Sequence, residues 1–249
     1  MARTFFPGQG YFAELTPAKG KAPPFNHTMC GPQDVPGAEC MTCRRPLLLM
    51  LTLDLTDKKL KFIAKPERLE LLLLGKGLDV TPDFRTLSDL PLYYCWACGN
   101  PLTYRLNKGG GVDVLDHTRL TMSDLKPERP DYPEYLPARR LRLTPIPPDV
   151  QRLIHRSNQG EMKDDEKYSA TNSPYLRPRH QFGGEPYLVQ GNASDTRQTC
   201  DLCDKDMPIV AVVGDECGRK GGFVGDAFVQ VIFHYCDSCQ IVVAMNECD

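Results

Sequence analysis

Apolar residues fall along the chain in short runs of strand length, separated by Gly- and Pro-rich punctuation, and the runs come in the same order twice. In the first half Pro46 to Leu55, Leu90 to Tyr94 and Leu102 to Leu106 read as three strands. In the second half Met207 to Val213 leads to a Gly214-Asp215 turn, then to the β-branched and aromatic run Ala227 to Tyr235, then to Ile241 to Met245. Two short helices are predicted. Pro66 to Leu74 has proline in its first turn and Gly75 as its stop, and Asp149 to Ser157 places Val150, Leu153 and Ile154 on one face.

Cysteines punctuate both series at the same points. Eight of the eleven form four Cys-x-x-Cys pairs, Cys40/Cys43, Cys95/Cys98, Cys200/Cys203 and Cys236/Cys239. Chance placement of that many cysteines would give about 0.5 such pairs. Each half therefore reads as knuckle, apolar strand, excursion, strand ending in Tyr, knuckle, apolar strand. This is an internal duplication with an offset of about 140 to 160 positions. The expected organisation is an irregular N-terminal arm over 1–39, a first zinc-binding repeat over 40–123, a Pro-rich connecting segment with one short helix over 124–182, and a second zinc-binding repeat over 183–249. Pro7, Pro17, Pro23, Pro24, Pro32 and Pro36 mark the arm, and Pro127, Pro130, Pro133, Pro137, Pro145, Pro147 and Pro148 the connection. Residues Gln159 to Asn172, polar and mixed in charge, read as an exposed loop.

Composition narrows the chemistry. A length of 249 residues, 41% hydrophobic and 25% charged, describes a soluble chain long enough for real cores, and the net charge of −2 gives no bulk attraction for a polyanion. The first residues lack an uninterrupted apolar stretch, and neither Pro46 to Leu55 nor Leu69 to Leu74 approaches a membrane span. A cytoplasmic setting is expected. There, paired cysteines are metal ligands or redox groups rather than structural disulfides.

Two Cys-x-x-Cys turns face to face supply the four soft ligands of a tetrahedral Zn²⁺, so two structural zinc ions are expected. Four knuckles allow three pairings. Sequence order and the duplication favour Cys40/Cys43 with Cys95/Cys98, and Cys200/Cys203 with Cys236/Cys239. A redox pair would sit at a helix N-terminus, and Trp96 makes Cys95/Cys98 the nearest imitation. Gly99 and Pro101 oppose a helix there. Four thiolates leave a metal no open position for water, and no catalytic Ser/His/Asp or Cys/His arrangement is visible around His27, His117, His155 or His180. His234 could replace a thiol, but strand periodicity turns it towards solvent or a neighbouring strand. Cys30, Cys217 and Cys248 read as ordinary small residues, and the glycines at 109–111 as a turn. Arg139, Arg140, Arg142, Arg177 and Arg179 form either a basic rim or a solvated surface.

A resemblance enters on the segment Gly183-Gly184-Glu185-Pro186-Tyr187-Leu188-Val189-Gln190, followed by Cys200-Asp201-Leu202-Cys203 and an apolar strand. It resembles the signature of the YwqG-like family of uncharacterised bacterial proteins, which is distantly related to the programmed cell death protein 2 family of eukaryotes. In both, a Gly-Gly-x-Pro-x-Trp-x-Gln stretch precedes a knuckle, and a strand enters a second knuckle near the C-terminus. Gly183, Gly184, Pro186 and Gln190 match, and Leu188 stands where Trp is usual. The likeness is best over 181–245. It implies a tandemly duplicated, β-rich α+β fold and, for the eukaryotic relatives, the shielding of a nascent ribosomal protein and ribosome maturation.

The expectation is a non-enzymatic, zinc-stabilised protein-interaction module that binds a polypeptide partner in a chaperone-like way. Gly183, Gly184, Pro186 and Gln190 are the candidate partner-binding residues, with a rigid structural corner as their other role. Two alternatives stand beside this. One is an intracellular toxin-immunity protein. The other is an RNA-binding zinc ribbon using exposed Tyr93, Tyr94 and Trp96 with Arg139 to Arg142.

Overall fold

Strands form where apolar or β-branched residues fit between two breakers. The computed structural model describes residues 5–6, 8–16, 23–33, 35–60, 88–99, 101–107, 111–115, 135–162, 173, 175–189, 198–214 and 230–247. Along the first half run β1 (Tyr11–Leu15), β2 (Thr28–Met29), β3 (Leu48–Asp54), β4 (Asp89–Tyr94), β5 (Leu102–Leu106) and β6 (Val112–Leu115). The second half continues with β7 (Arg139–Pro145), α1 (Pro148–Asn158), β8 (Gln181–Phe182), β9 (Gln198–Thr199), β10 (Asp206–Met207), β11 (Ile209–Gly214), β12 (Gln230–Cys236) and β13 (Ile241–Glu247). The predicted strands thus form over their described residues, as does the helix expected over Asp149 to Ser157, and positions 227–229 of the run Ala227 to Tyr235 lie outside the described residues. The helix expected over Pro66 to Leu74 lies outside the described residues. No described helix is long and apolar enough to cross a membrane.

Among the described residues eleven strands make one antiparallel sheet in the order β4-β3-β2-β7-β1-β8-β11-β12-β13-β5-β6, and β9 with β10 forms a separate ribbon. A sheet this wide accumulates twist and curls. Here β4, at one end of the order, comes back to β5 near the other. The Tyr104 hydroxyl on β5 donates to the Pro91 carbonyl on β4 (3.1 Å) and accepts the Tyr93 N–H (2.9 Å). One core joins Leu51 and Leu92 from one end of the sheet to Phe233, Val242 and Tyr104 from the other.

Eight strands of the order are symmetric about the β7–β1 ladder, β7-β2-β3-β4 on one side matching β1-β8-β11-β12 on the other, and the ladder includes Glu14 opposite Arg142. Tyr11 of β1 faces Phe182 of β8 as Arg139 of β7 faces Met29 of β2. Ala13 donates its N–H to the His180 carbonyl and Leu141 donates to that of His27, both at 2.9 Å. The β3–β4 ladder has a bulge between Leu49 and Leu51, and the β11–β12 ladder has one between Ile209 and Ala211. In each, the extra residue lies seven positions past the second cysteine of a knuckle. The duplication is therefore a pseudo-twofold in register as well as in order.

This changes the reading of two segments. In place of an irregular arm, residues 1–39 hold β1, in the middle of the sheet, and β2. Prolines 7 and 17 bracket the run Tyr11–Leu15, so a composition averaged over the arm hides a five-residue strand. The segment 124–182 supplies β7 and α1 rather than a connection alone. Seven residues fit between Pro137 and the end of β7 at Pro145. Each copy opens on one of these strands and lends it to the other, since β1 pairs with β8 and β7 pairs with β2. The two copies form one continuous sheet.

Helix α1 lies on the outer face. Phe12, Ile146, Val150, Ile154, Met162 and Leu176 bury one another there, with Leu153 half-buried at the edge. Burying Val150, Ile154 and Phe12 contributes about 2 kcal/mol each, which anchors the helix without help from its sequence propensity.

Candidate metal centres

Each Cys-x-x-Cys is a tight turn whose following residue has a left-handed backbone: Arg44 (φ 58°), Gly99 (66°), Asp204 (56°) and Gln240 (56°). That conformation lets the amide of the following residue turn back onto the first cysteine. Arg44, Gly99 and Asp204 donate to the carbonyls of Cys40, Cys95 and Cys200 at 2.9, 3.1 and 2.8 Å. Cys40 and Cys200 in turn donate to the carbonyls of Arg45 and Lys205, both at 2.9 Å. Only one of the four left-handed positions is glycine. The others carry a local cost of about 1–2 kcal/mol, which the rest of the turn must offset.

The knuckles meet in two quartets, Cys40 with Cys43, Cys95 and Cys98, and Cys200 with Cys203, Cys236 and Cys239, each with its sulfurs within 4.8 Å of one another. This is the pairing expected from sequence order. Metal–sulfur bonds of about 2.3 Å in a tetrahedron require sulfurs about 3.8 Å apart. The separations are 3.8 Å for Cys40–Cys98, 3.7 Å for Cys43–Cys95 and 3.7 Å for Cys203–Cys236. The quartets thus fit one tetrahedral ion each. Cys43 and Cys203 are half-buried and the other six are buried. The first quartet shares the main core, while the second builds its own cluster with Met207, Ile241 and Val243.

Electrostatics point the same way. The hydrogen bond from Cys95 holds the Cys40 thiol down at about 4 against the cost of burial. Hydrogen bonds from Cys236 and Cys239 hold Cys200 at about 2. Their neighbours move oppositely: Cys95 and Cys239 rise because they are the donors, burial pushes Cys98 to about 12, and the bond to Cys200 pushes Cys236 to about 12. In each quartet one thiol is thus held low while two of its neighbours are raised. A divalent cation is what lets all four ionise together.

His234 is not a ligand. It is buried, and its Nδ1 meets the Met207 carbonyl at 2.9 Å on the neighbouring ribbon. Cys95/Cys98 leads through Gly99 into β5 rather than into a helix. Tyr93, Tyr94 and Trp96, expected at the surface for base stacking, are all buried in the main core. Arg140 and Arg142 point outwards from β7, and Arg177 is exposed. Arg179 instead covers the Phe12 ring at 4.3 Å. Cys30 is buried in the core, and Cys217, Cys248 and the glycines at 109 and 110 lie outside the described residues.

Gly183, Gly184 and Pro186 form a buried corner, and Gln190 lies outside the described residues. Three residues of α1, none of them assigned there from the sequence, hold that corner. Gln151 donates to the Glu185 carbonyl (2.6 Å), and His155 Nδ1 meets the Glu185 carboxylate (2.7 Å). Asn158 donates to Glu185 Oε1 (2.9 Å) and the Pro186 carbonyl (2.8 Å) and accepts the Leu188 N–H (3.1 Å). Gly184 (φ 60°) packs on Gly10, and a Cβ there would lie 2.8 Å from the Gly10 backbone. Leu188 is buried against Ile209, Val212 and Ile232. The spacing of Gln151, His155 and Asn158 on one helix face was the available signal, and it pointed to a polar stripe without naming its target.

Comparison of the chain with protein-family models, curated proteins and solved structures gives no match.

Proposed function

We propose that the protein is a non-enzymatic interaction module of the cytoplasm, held in shape by two structural zinc ions and presenting its sheet to a polypeptide partner. One observation carries the reading: each quartet gathers four sulfurs within 4.8 Å of one another, so an ion held by all four has no position left for water or substrate. A metal bound in this way builds a scaffold. Strand addition to such a scaffold, with main-chain hydrogen bonds supplying affinity, suits a chaperone-like grip on an extended segment. The resemblance of the Gly183 to Gln190 stretch to the YwqG-like and programmed cell death protein 2 families supports the same class. Burial of Tyr93, Tyr94 and Trp96 removes the stacking platform of the RNA-binding alternative.

The test has two parts. Elemental analysis of freshly purified protein should find two zinc ions per chain, and dialysis against a strong chelator should abolish cooperative melting. Affinity purification from the native cell, with mass spectrometry, should then recover a protein partner whose binding is lost with the metal. Zinc-free protein with an unchanged melting temperature would overturn the reading. A ribosomal protein among the partners would favour the family resemblance, and a toxin domain the immunity alternative.

A further inference from the structure

The two halves are equivalent up to their second knuckles and part company after them. In the second half the knuckle is the turn of a hairpin: β12 and β13 pair directly across it, starting with Cys236 opposite Ile241. In the first half β5 leaves its knuckle and pairs with β13, with Ile241 opposite Arg105 and Ala244 opposite Leu102. The exit strand of the first quartet is therefore laid on the exit strand of the second. The contact reaches the knuckle itself, because Leu106 donates its N–H to the carbonyl of Gln240, the left-handed residue directly after Cys239, at 3.0 Å. From β5 the path returns to the first quartet. Tyr104, opposite Val242, accepts the Tyr93 N–H at 2.9 Å and donates to Pro91 at 3.1 Å, and β4 runs from there into Cys95.

We infer that the two quartets load metal cooperatively, coupled through β5 and the Tyr104 hydroxyl. The inference rests on the reading that both quartets bind metal and adds how they are linked. Binding at the second quartet fixes Cys239, Gln240 and the β13 template. That template places β5, and β5 holds β4 and hence Cys95 in position. Coupling of binding free energies is reciprocal, so metal in the first quartet strengthens the second by the same factor. Loop length favours the second quartet as the starting point: Cys203 and Cys236 lie 33 residues apart, against 52 for Cys43 and Cys95.

Native mass spectrometry of the full chain, stripped of metal and titrated with Zn²⁺, reads the coupling directly. Independent equal sites at half-saturation give empty, single and double species in the ratio of about 1:2:1, whereas coupling of about 100-fold reduces the single species to about a tenth of the molecules. The expected result is a depleted single species. Tyr104→Phe keeps the ring and removes the hydroxyl, and it should raise that species while both quartets still fill in excess metal. A near-statistical distribution in the wild type overturns the coupling. An unchanged distribution in Tyr104→Phe overturns the route. Failure to take up any metal overturns the metal reading itself, so the two failures are distinguishable.

Discussion

Cys30 and Gly183 occupy the same place in two copies of one corner. Each follows the first short strand that pairs with a bulged one, and each has a left-handed backbone, with φ of 56° and 61°. Each donates its N–H to the carbonyl of the bulge residue, Cys30 to Met50 at 3.1 Å and Gly183 to Val210 at 2.9 Å. Cys30-Gly31-Pro32 is thus the first copy's counterpart of Gly183-Gly184-Glu185-Pro186, diverged beyond recognition in sequence.

By that equivalence, Cys30→Gly relieves a left-handed side chain costing about 1–2 kcal/mol, at the expense of chain entropy and a buried thiol. The melting free energy should stay within about 1 kcal/mol of the wild type. Gly183→Ala has no such relief and should destabilise by about 1–2 kcal/mol. Urea denaturation of both variants checks the pair.

Asn158 satisfies three groups of the corner from a buried position. Asn158→Ala leaves the Leu188 N–H and the Pro186 carbonyl without it, and buried unsatisfied groups cost about 1–3 kcal/mol each. A loss of about 3 kcal/mol in chemical denaturation is expected. An effect below about 0.5 kcal/mol would mean that water replaces Asn158 without cost.

The hydrogen bond to Glu185 and its charge hold the His155 imidazole above its ordinary value. Because the folded state binds this proton more tightly than the unfolded chain, the contribution is fully present below about pH 6.5 and is lost as pH rises through the folded value. His155 is 54% exposed, so solvent screens the pair and the effect is small. The melting temperature of the wild type should exceed that of His155→Gln at pH 5.5, and the gap should close by pH 8.5. His180 has the opposite sign, since burial pushes it down to about 4 and its contribution is lost as pH falls below about 6.5.

Replacing one ligand should remove one metal. Cys43→Ser and Cys203→Ser each change the half-buried member of a quartet. Each should hold one zinc ion in place of two by elemental analysis in excess metal. Since structural zinc contributes on the order of 10 kcal/mol to folding, each should cost more than about 3 kcal/mol in stability. Two ions retained in either variant would mean that another group completes the tetrahedron.

The sequence alone determined the cysteine pairs and the local elements. Four Cys-x-x-Cys turns, the strands that leave them and the helix over Asp149 to Ser157 depend on spacing and periodicity within a few residues, which a linear reading captures. Pairing of the knuckles was legible too, because each quartet closes around its own pair of strands. Tertiary structure alone decided what those elements do together. That β1 and β7 are exchanged between copies, that β5 leaves its own half for β13, and that Cys30 stands for Gly183 are matters of partner choice among strands of similar composition. The burial of Tyr93, Tyr94 and Trp96 belongs here as well, since the curl that returns β4 to β5 sets which face is inside. Backbone pairing and packing between separate strands settle such choices, for β1, β7 and β5 across more than a hundred positions, and no local pattern records them.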